Sequence, residues 1–408
     1  MSNQNLKRVF PSPSSLRRTL RFKKLEISGK KRRLSRALTI DDLRLIAKRR
    51  TPKGPFDYTD GAAESETSLA RARQRYQAIE FIPNVLRDVS KLDTSVQVLN
   101  EVFALPFGIA PTGFTRMMHS EGELAGARAA EKFGIPFVLS TLGTTTIEDV
   151  VAVAPKGRNW FQLYMWKDRE GSMRLVDAAW RSGVKNLVLT VDVPVAGARH
   201  RDTRNGLTIP PSLTLGTLLE AAPKYEWWWN FLTTPELRFA SMSEWKGTVA
   251  ELLDFMFDPT MTFEDLQWIR NQWKGTLTVK GIQNVEDAKK VAKCGVDAVI
   301  LSNHGGRQLD RSTVPLELLS KCKKELGKDL EIHIDTGVMR GSDIVAALAL
   351  GAEFVYVGRA YLYGLMAGGQ QGVERALEIL AGELRRTMKL LGVTSVKELN
   401  PKHLRFLD

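Results

Sequence analysis

The chain is poor in the features that mark secreted and membrane-spanning proteins. It has only two cysteines, Cys294 and Cys322, which argues against a disulfide framework, so both thiols are expected to be structural. No apolar run approaches the ~20 residues that a membrane-spanning helix needs. The N-terminus is charged and lacks the apolar core of a signal peptide. Together these shortages predict a cytoplasmic protein.

Acidic residues are almost missing from the first 36 positions. Residues 1–36 contain twelve Lys and Arg but one acid, Glu26, and so carry +11 of the net charge of +13. High charge with few apolar residues predicts a flexible basic arm. Such an arm can meet nucleic acid, an anionic membrane surface or no partner at all. Because its only aromatic residues are Phe10 and Phe22, it offers little for base stacking, and no nucleic-acid partner is expected.

The glycine-rich turn of dinucleotide-binding folds, G-x-G-x-x-G, is also missing after the first apolar strand candidate. From there on, short apolar runs alternate with amphipathic stretches, as in a parallel sheet with helical crossovers. Strands are predicted at residues 105–110, 136–140, 160–164, 186–192, 276–280, 297–302, 330–335 and 353–358. Eight such units over about 250 residues favour a (β/α)8 TIM barrel over a doubly wound α/β sheet.

The barrel is predicted to occupy residues 105–408, preceded by a helical lead-in at 37–104. Helical patterning in the lead-in starts at Thr39 or Asp41, either of which could cap a helix, and a second short helix is expected near residue 56.

The link after the fourth barrel strand is far longer than the usual 2–6 residues and is expected to hold an insertion at about 200–262. It contains Trp227, Trp228 and Trp229 in succession. Adjacent tryptophans suit a membrane interface or a partner groove, but they could equally pack back on the barrel. The sequence leaves this choice open.

The most distinctive stretch is SNHGGRQLD at residues 302–310, directly after a predicted strand. Active sites of such barrels lie at the C-terminal ends of the strands. There His304 suits proton abstraction near neutral pH, and Arg307 can grip a carboxylate through two hydrogen bonds. A glycine-rich loop with an incidental histidine is the alternative. Polar residues at the other strand ends favour a binding site.

These motifs give the chain a resemblance to the FMN-dependent α-hydroxy acid dehydrogenases and oxidases, over roughly residues 39–400. The resemblance rests on the segments 56–62 (FDYTDGA), 108–113 (GIAPTG), 162–164 (QLY), 190–194 (TVDVP), 280–281 (KG) and 302–310. The last is the family's signature. The segments 109–116 and 358–369 resemble most the bacterial respiratory L-lactate dehydrogenases within it.

The resemblance implies FMN as the cofactor and a role for each matching residue, with no metal. The implied catalytic residues are His304 as the base, Asp192 paired with it, Tyr164 and Lys280. The implied substrate-binding residues are Tyr58, Tyr164, Arg199, His304 and Arg307. The implied cofactor-binding residues are Pro111, Thr112, Gly113, Ser140, Gln162, Thr190, Lys280, Ser302, Asp335, Gly337, Arg340, Gly358 and Arg359.

Two positions depart from the family pattern. Met339 stands where the family usually has an arginine for the FMN phosphate, so Arg340 or Arg359 is expected to compensate. Leu142 stands where plant-type glycolate oxidases have a tryptophan, which changes the pocket beside the substrate side chain. Substrate choice therefore follows less directly than reaction type.

The implied activity is oxidation of an L-2-hydroxy acid, with L-lactate to pyruvate as the leading candidate reaction. The electrons would pass to a quinone or another respiratory acceptor. The alternative is an oxidase that uses O2 and gives H2O2. The resemblance also implies a homotetramer. The basic arm and the tryptophans suggest peripheral attachment to an anionic membrane surface, at the inner face of the cell membrane.

Overall fold

The computed structural model describes residues 9–21, 26–206, 215–242, 256–327 and 329–407. Its strands are β1 Ile79–Phe81, β2 Val96–Val98, β3 Glu101–Phe103, β4 Phe107–Ile109, β5 Pro136–Ser140, β6 Arg158–Leu163, β7 Asn186–Thr190, β8 Thr276–Ile282, β9 Ala298–Leu301, β10 Glu331–Ile334, β11 Phe354–Val357 and β12 Leu404–Phe406.

The α-helices are described in the same order. They are α1 Pro13–Thr19, α2 Gly29–Arg36, α3 Ile40–Arg50, α4 Lys53–Asp60, α5 Thr67–Gln77, α6 Thr115–Met118, α7 Gly122–Phe133, α8 Ile147–Val153, α9 Arg169–Arg181, α10 His200–Arg204, α11 Leu215–Ala221, α12 Tyr225–Thr233, α13 Phe263–Gln272, α14 Val285–Lys293, α15 Pro315–Leu326, α16 Gly341–Ala349, α17 Arg359–Gly368 and α18 Gln370–Leu391. Short 3-10 turns lie at Ala240–Met242, His304–Gly306, Val396–Glu398 and Pro401–His403.

Strands β4 to β11 close into an eight-stranded parallel barrel in chain order, with β11 hydrogen-bonded to β4. All eight predicted strands are present, and the predicted TIM barrel is confirmed. The strands are almost wholly buried because they have helices outside and packed side chains inside. This burial explains why they appear in the sequence as continuous apolar runs.

The barrel interior is filled in layers. A buried cluster that includes Val138, Trp160, Ile300 and Tyr356 fills its middle and lower parts. The hairpin β2–β3 adds Phe103 to the same cluster and so closes the amino-terminal end. One layer above, at the C-terminal strand ends, the inward positions are polar, which places the candidate site at that end.

The lead-in helices pack around the barrel as predicted in outline. Thr39 is the N-cap of α3: its hydroxyl accepts the Asp42 N–H at 3.1 Å, and the Asp42 carboxylate accepts the Thr39 N–H at 3.0 Å. This reciprocal capping decides between the two expected start points, because Asp41 lies inside the helix. Helix α4, which ends at Asp60, covers one side of the strand ends.

The basic segment differs from the expected flexible arm in one part. Helix α2 lies on the barrel's outer helices: Leu34 is buried against Gly368, and the Arg33 guanidinium donates to the Ala367 carbonyl at 3.3 Å. One buried apolar side chain and one hydrogen bond thus hold a short helix that is otherwise strongly basic. Helix α1, by contrast, has no buried residue.

The insertion is described in part, since residues 207–214 and 243–255 lie outside the described residues. Helix α12 carries the three tryptophans. The Trp227 indole N–H donates to the Met117 carbonyl at 3.0 Å, and the Trp228 indole N–H donates to the Ala221 carbonyl at 2.9 Å. Trp229 is 70% exposed. Trp227 therefore packs back on the body of the protein, Trp228 bonds within the insertion and Trp229 faces outward, a division that the sequence left open. None of the helices in the described part of the chain is long and apolar enough to cross a bilayer.

Candidate active site

His304 lies at the centre of the C-terminal end of the barrel, between a carboxylate and a phenol. Its Nδ1 is 3.1 and 3.3 Å from the two carboxylate oxygens of Asp192, and its Nε2 is 3.3 Å from the Tyr164 hydroxyl. The Asp192 side chain is 1% exposed and that of His304 is 21% exposed. Because a carboxylate only accepts, Nδ1 carries the proton of the neutral ring and Nε2 is free to act as a base.

The electrostatics of the pair favour a neutral imidazole. Burial, followed by the positive charge of Lys280, lowers the pKa of His304 below its ordinary value, against the opposing attraction of Asp192. Burial would raise the pKa of Asp192, but its interaction with His304, which includes a hydrogen bond to the ring and attraction to the protonated form, and the charge of Lys280 outweigh burial, so the pKa lies below normal. Asp192 is therefore ionised and His304 neutral near pH 7.

The backbone around His304 is folded tightly to aim its ring into the site. His304 has φ +59°, in the left-handed region, and Gly305 and Gly306 follow at φ +65° and +76°. Consecutive positive φ values explain the two glycines in the SNHGGRQLD motif. The Ser302 hydroxyl accepts the His304 N–H at 3.0 Å and so holds the turn.

Lys280 is a buried cation beside this turn. Its ammonium donates to the Ser302 hydroxyl at 3.2 Å and lies 3.5 Å from an Asp335 carboxylate oxygen. The Thr336 hydroxyl donates to Asp335 at 2.9 Å. The lysine is thus fixed by polar groups that directly follow β9 and β10, with its charge facing the cavity.

Three guanidinium groups surround the same space. The Arg307 and Arg199 guanidiniums lie 4.6 and 5.3 Å from the centre of the Tyr58 ring. Arg307 donates to the carbonyls of Tyr58 and Gly61 at the end of α4. Arg359 donates to the Gly61 carbonyl at 2.7 Å and to the carbonyls of Thr59 and Gly305 at 2.9 Å.

This cation cluster is suited to an anion. Burial, together with the charge of Arg199, lowers the pKa of Arg307 to about 10. The group is still charged at neutral pH, and carbonyl partners orient it without neutralising it. Arg199 has one carboxylate nearby, Asp202, at 3.5 Å. An excess of buried positive charge is costly unless a negatively charged ligand compensates it.

Beneath the cavity, the strand-end residues form a hydrogen-bonded floor. The Ser140 hydroxyl donates to the Gln162 side-chain carbonyl at 3.0 Å, and the Gln162 amide donates to the Thr190 hydroxyl at 3.0 Å. All three are buried. The floor leaves a row of neutral polar groups under a wide opening.

The residues enclose a cavity of about 400 Å³. Most sequence-predicted site residues line it: Tyr58, Pro111, Thr112, Gly113, Tyr164, Arg199, Lys280, His304, Arg307, Asp335, Gly337, Gly358 and Arg359. Ser140, Gln162, Thr190 and Ser302 support it from beneath, and Asp192 lies behind His304. The barrel thus brings together side chains that are up to three hundred residues apart in sequence.

Arg340 is placed differently from the expectation. Its guanidinium is 47% exposed and lies 3.2 Å from an Asp41 carboxylate oxygen, and Met339 lines the cavity instead. The reason is local: Arg340 precedes α16, and the Asp343 carboxylate accepts its backbone N–H at 3.0 Å, which leaves the side chain facing outward. Of the two arginines expected to compensate for Met339, only Arg359 lies at the cavity.

Sequence reasoning missed a second charged network at the cavity. Arg44 and Arg201 both bond the Asp60 carboxylate, at 2.5 and 3.0 Å, and the Tyr363 hydroxyl donates to it at 2.8 Å. All four residues line the cavity. Asp60 and Tyr363 lie inside the segments 56–62 and 358–369, on which the family resemblance rests, so their place in those segments could have pointed to the site. Arg44 lies on the lead-in helix and gave none.

Comparison with known proteins decides what this site is. The sequence pattern of the FMN-dependent dehydrogenases matches residues 47–406. The chain belongs to this family. It is 58% identical over 397 residues to a Mycobacterium tuberculosis protein provisionally named an L-lactate dehydrogenase, covering 97% of this chain and 96% of the relative. It is 38% identical over 369 residues to the L-lactate dehydrogenase of Vibrio cholerae, covering 88% and 96%.

Solved structures agree with this membership. The monotopic membrane protein (S)-mandelate dehydrogenase superposes with a TM-score of 0.87 at 39% identity, over 91% of this chain and all of that one. A flavocytochrome b2 variant with pyruvate bound gives 0.78 at 32% identity, over 91% and 87%. This FMN-dependent dehydrogenase is an oxidoreductase of 2-hydroxy acids, as the sequence predicted.

The residues of the cavity fit FMN. The volume of the cavity is within the range of cofactor pockets. The cavity also combines a polar floor, a buried cation and guanidiniums that can bind an anionic group. A Cβ added at Gly358 would meet no atom closer than Ala110 at 4.0 Å, so the wall is open where the last strand ends. No group of three or more His, Cys, Asp or Glu side chains in the described ranges could hold a metal ion.

Proposed function

We propose that this FMN-dependent dehydrogenase oxidises L-lactate to pyruvate and passes the electrons to a membrane quinone. The observation that carries the substrate class is one juxtaposition. The unprotonated Nε2 of His304, 3.3 Å from the Tyr164 hydroxyl, faces the same cavity as the unneutralised Arg307, with Arg199 beside it. A 2-hydroxy acid carries its hydroxyl group on the carbon next to its carboxylate, so one small molecule can meet the base and the guanidiniums together.

In the proposed mechanism, His304 accepts a proton from the substrate at Nε2. The ring becomes an imidazolium, which Asp192 stabilises through Nδ1 at 3.1 Å. The Tyr164 hydroxyl, 3.3 Å from Nε2, is placed to bond the substrate hydroxyl oxygen. Burial raises the pKa of Tyr164, so the phenol stays protonated and acts as a donor.

Arg307 and Arg199 would bind the carboxylate, with Tyr58 between them. Both guanidiniums lie close to its ring, at 5.3 and 4.6 Å from the centre, and each has the planar fork that can grip a carboxylate. Binding of the anion also offsets the cost of two neighbouring buried cations. This contribution fixes the substrate so that its reacting carbon faces the cofactor.

FMN, when bound, would accept the two electrons removed from the substrate. Lys280 would hold a positive charge at the edge where negative charge accumulates on reduction. Thr112, Gly113, and the floor of Ser140, Gln162 and Thr190 would support the ring system. Asp335, Gly337, Gly358 and Arg359 would hold the ribityl phosphate, at the loops after the last two barrel strands where this fold binds phosphate.

Support for the membrane acceptor comes from the surface of α12. Tyr225, Trp229 and Leu232 are exposed and lie at spacings of four and three residues, so they share one helix face. An exposed apolar face with an interfacial tryptophan is typical of monotopic attachment. Helix α1 adds Arg17 and Arg18, which anionic lipid would attract.

The function is tested first by colour and anaerobic reduction. Purified protein should show a flavin spectrum that L-lactate bleaches without oxygen, and bleaching by longer 2-hydroxy acids but not by L-lactate would contradict the substrate. Reoxidation is then timed with a short-chain quinone and with air. Fast reoxidation by air with H2O2 release, and none by the quinone, would make the enzyme an oxidase instead.

A further inference from the structure

Arg201 joins the start of the insertion to the end of α4. It lies on α10, two residues after Arg199, and its side chain is half-buried. One guanidinium nitrogen is 3.0 Å from the Asp60 carboxylate and 3.6 Å from that of Asp57, and the other donates to the Glu66 carboxylate. A single side chain thus bridges acids on both sides of the turn that follows α4.

The turn after α4 also orients arginines of the active site. The Gly61 carbonyl accepts a hydrogen bond from Arg307 at 3.1 Å and another from Arg359 at 2.7 Å. A Cβ added at Gly61 would lie 3.0 Å from Arg201 Cδ, so the Arg201 side chain packs directly against this residue. The side chain that holds the insertion therefore also supports the carbonyl that holds Arg307.

The insertion is attached to the same region by two further hydrogen bonds. The Glu64 N–H donates to the Ala198 carbonyl at 2.7 Å, directly before Arg199. The Asn205 amide donates to the Asp57 carboxylate at 2.8 Å, at the far end of α10. These bonds lie on either side of the ion pairs, so α10 packs along α4 and Arg199 lies within the segment that they fix.

The charges of this junction are balanced, in contrast to those of the arginines in the active site. The Asp60 carboxylate also accepts from the Arg44 guanidinium and from the Tyr363 hydroxyl. Burial alone would raise the pKa of Asp60, but the hydrogen bonds from Arg44 and Tyr363 lower it, so the carboxylate is ionised at neutral pH. The guanidiniums of Arg44 and Arg201 thus face three carboxylates, which makes the junction a support and not a second anion site.

We propose that Arg201 is a positioning residue that sets the separation of Arg199 and Arg307 by holding the insertion on α4. The inference rests on the proposed role of these two arginines in binding the substrate carboxylate, and not on which 2-hydroxy acid is oxidised. His304 is held separately, through Asp192. Loss of the junction should therefore weaken binding of the carboxylate while proton transfer keeps most of its rate.

The test measures binding of oxalate to the oxidised holoenzyme through the change in its flavin spectrum. Oxalate presents a carboxylate next to an oxygen-bearing carbon, as every 2-oxo acid does, so no particular substrate side chain is needed. Wild type, Arg201→Gln and Arg201→Lys are compared with Arg307→Met. The matched control is Arg44→Gln, which removes two hydrogen bonds from the same Asp60 carboxylate but leaves Arg201 in place.

Arg201→Gln should raise the dissociation constant of oxalate by about tenfold, because a displaced guanidinium loses part of a two-point contact. Arg201→Lys should lie between this variant and wild type, since it keeps the charge but lacks the fork that spans two carboxylates. Arg44→Gln should stay within about threefold of wild type. Flavin reduction by a saturating 2-hydroxy acid should slow by less than about threefold in Arg201→Gln, while the concentration for half-maximal rate rises with the oxalate constant.

Wild-type oxalate binding in Arg201→Gln, with binding lost in Arg307→Met, would overturn the inference alone. An equal loss in Arg44→Gln would also overturn it, because the effect would then belong to α4 and not to its junction with the insertion. Wild-type binding in Arg307→Met would refute the proposed role of the arginines, and the inference with it. Oxalate is titrated into folded, flavin-loaded protein, so a lower melting temperature does not by itself explain weaker binding. If Arg201→Gln retains no flavin, Arg201→Lys carries the same comparison.

Discussion

Replacement of Asp192 by Asn removes one negative charge and one acceptor from behind His304 and changes little else. The carboxylate oxygens are 3.1 and 3.3 Å from Nδ1, which puts the charge centres about 4 Å apart. At an effective dielectric constant of about 20, such a pair is worth ~4 kcal/mol. If the imidazole holds about half of the proton in the transition state, the loss is ~2 kcal/mol, or about 30-fold in rate.

A second loss adds to this one. The Asn amide can donate to Nδ1, which would move the ring proton to Nε2 and block the base. The total decrease in the rate of flavin reduction should then reach about 10²–10⁴-fold. Because the attraction of Asp192 raises the pKa of His304, its removal should also move the acidic limb of the rate to lower pH.

The assay is anaerobic stopped-flow bleaching of the bound flavin by L-lactate. Asp297→Asn is the matched control, since it makes the same isosteric change at the amino-terminal end of the barrel, where Asp297 accepts the Leu277 N–H at 2.8 Å. The control should stay within about threefold of wild type. A similar small effect in Asp192→Asn, with unchanged pH dependence, would refute the role given to the carboxylate.

Further expectations concern the base His304, the arginines that would bind the carboxylate, the pH dependence and membrane attachment. His304→Gln should keep FMN but slow flavin reduction by about 10²-fold or more, and near-normal bleaching would remove it as the base. Arg307→Met or Arg199→Met should lower kcat/KM, and Lys should restore it only in part because it lacks the planar fork; unchanged kcat/KM in both Met variants would place the carboxylate elsewhere. As the pKa of His304 lies below its ordinary value, kcat/KM should hold its plateau as pH falls to about 6.5 and decline only beneath it, and a decline that begins at higher pH would contradict the shift. Trp229→Ser should weaken sedimentation with anionic vesicles at all salt concentrations, whereas deletion of residues 1–36 should weaken it at low salt only. If the full-length protein does not sediment with anionic vesicles at low salt, the membrane proposal fails.

The barrel and the core of the site could be predicted from the sequence for a physical reason. Parallel strands buried on both faces must be apolar throughout, so all eight appear as short runs between helices. A barrel also brings every strand's carboxyl end to one face, which places Asp192, Lys280 and His304 together without knowledge of their distances.

Other features were decided by tertiary structure, because they depend on which surfaces meet. Arg340 has the right charge and position in sequence, but its guanidinium pairs with the exposed Asp41 at the edge of the cavity and does not line it. Trp227 and Trp229 have the same side chain, two residues apart, yet only Trp227 finds a carbonyl to bond. In the sequence, His333 looks like one more residue of an apolar strand. Its hydrogen bonds to Tyr356 on the next strand and to Glu331 at the solvent edge follow only from the tertiary structure, since hydrogen bonds across a barrel are set by register and packing.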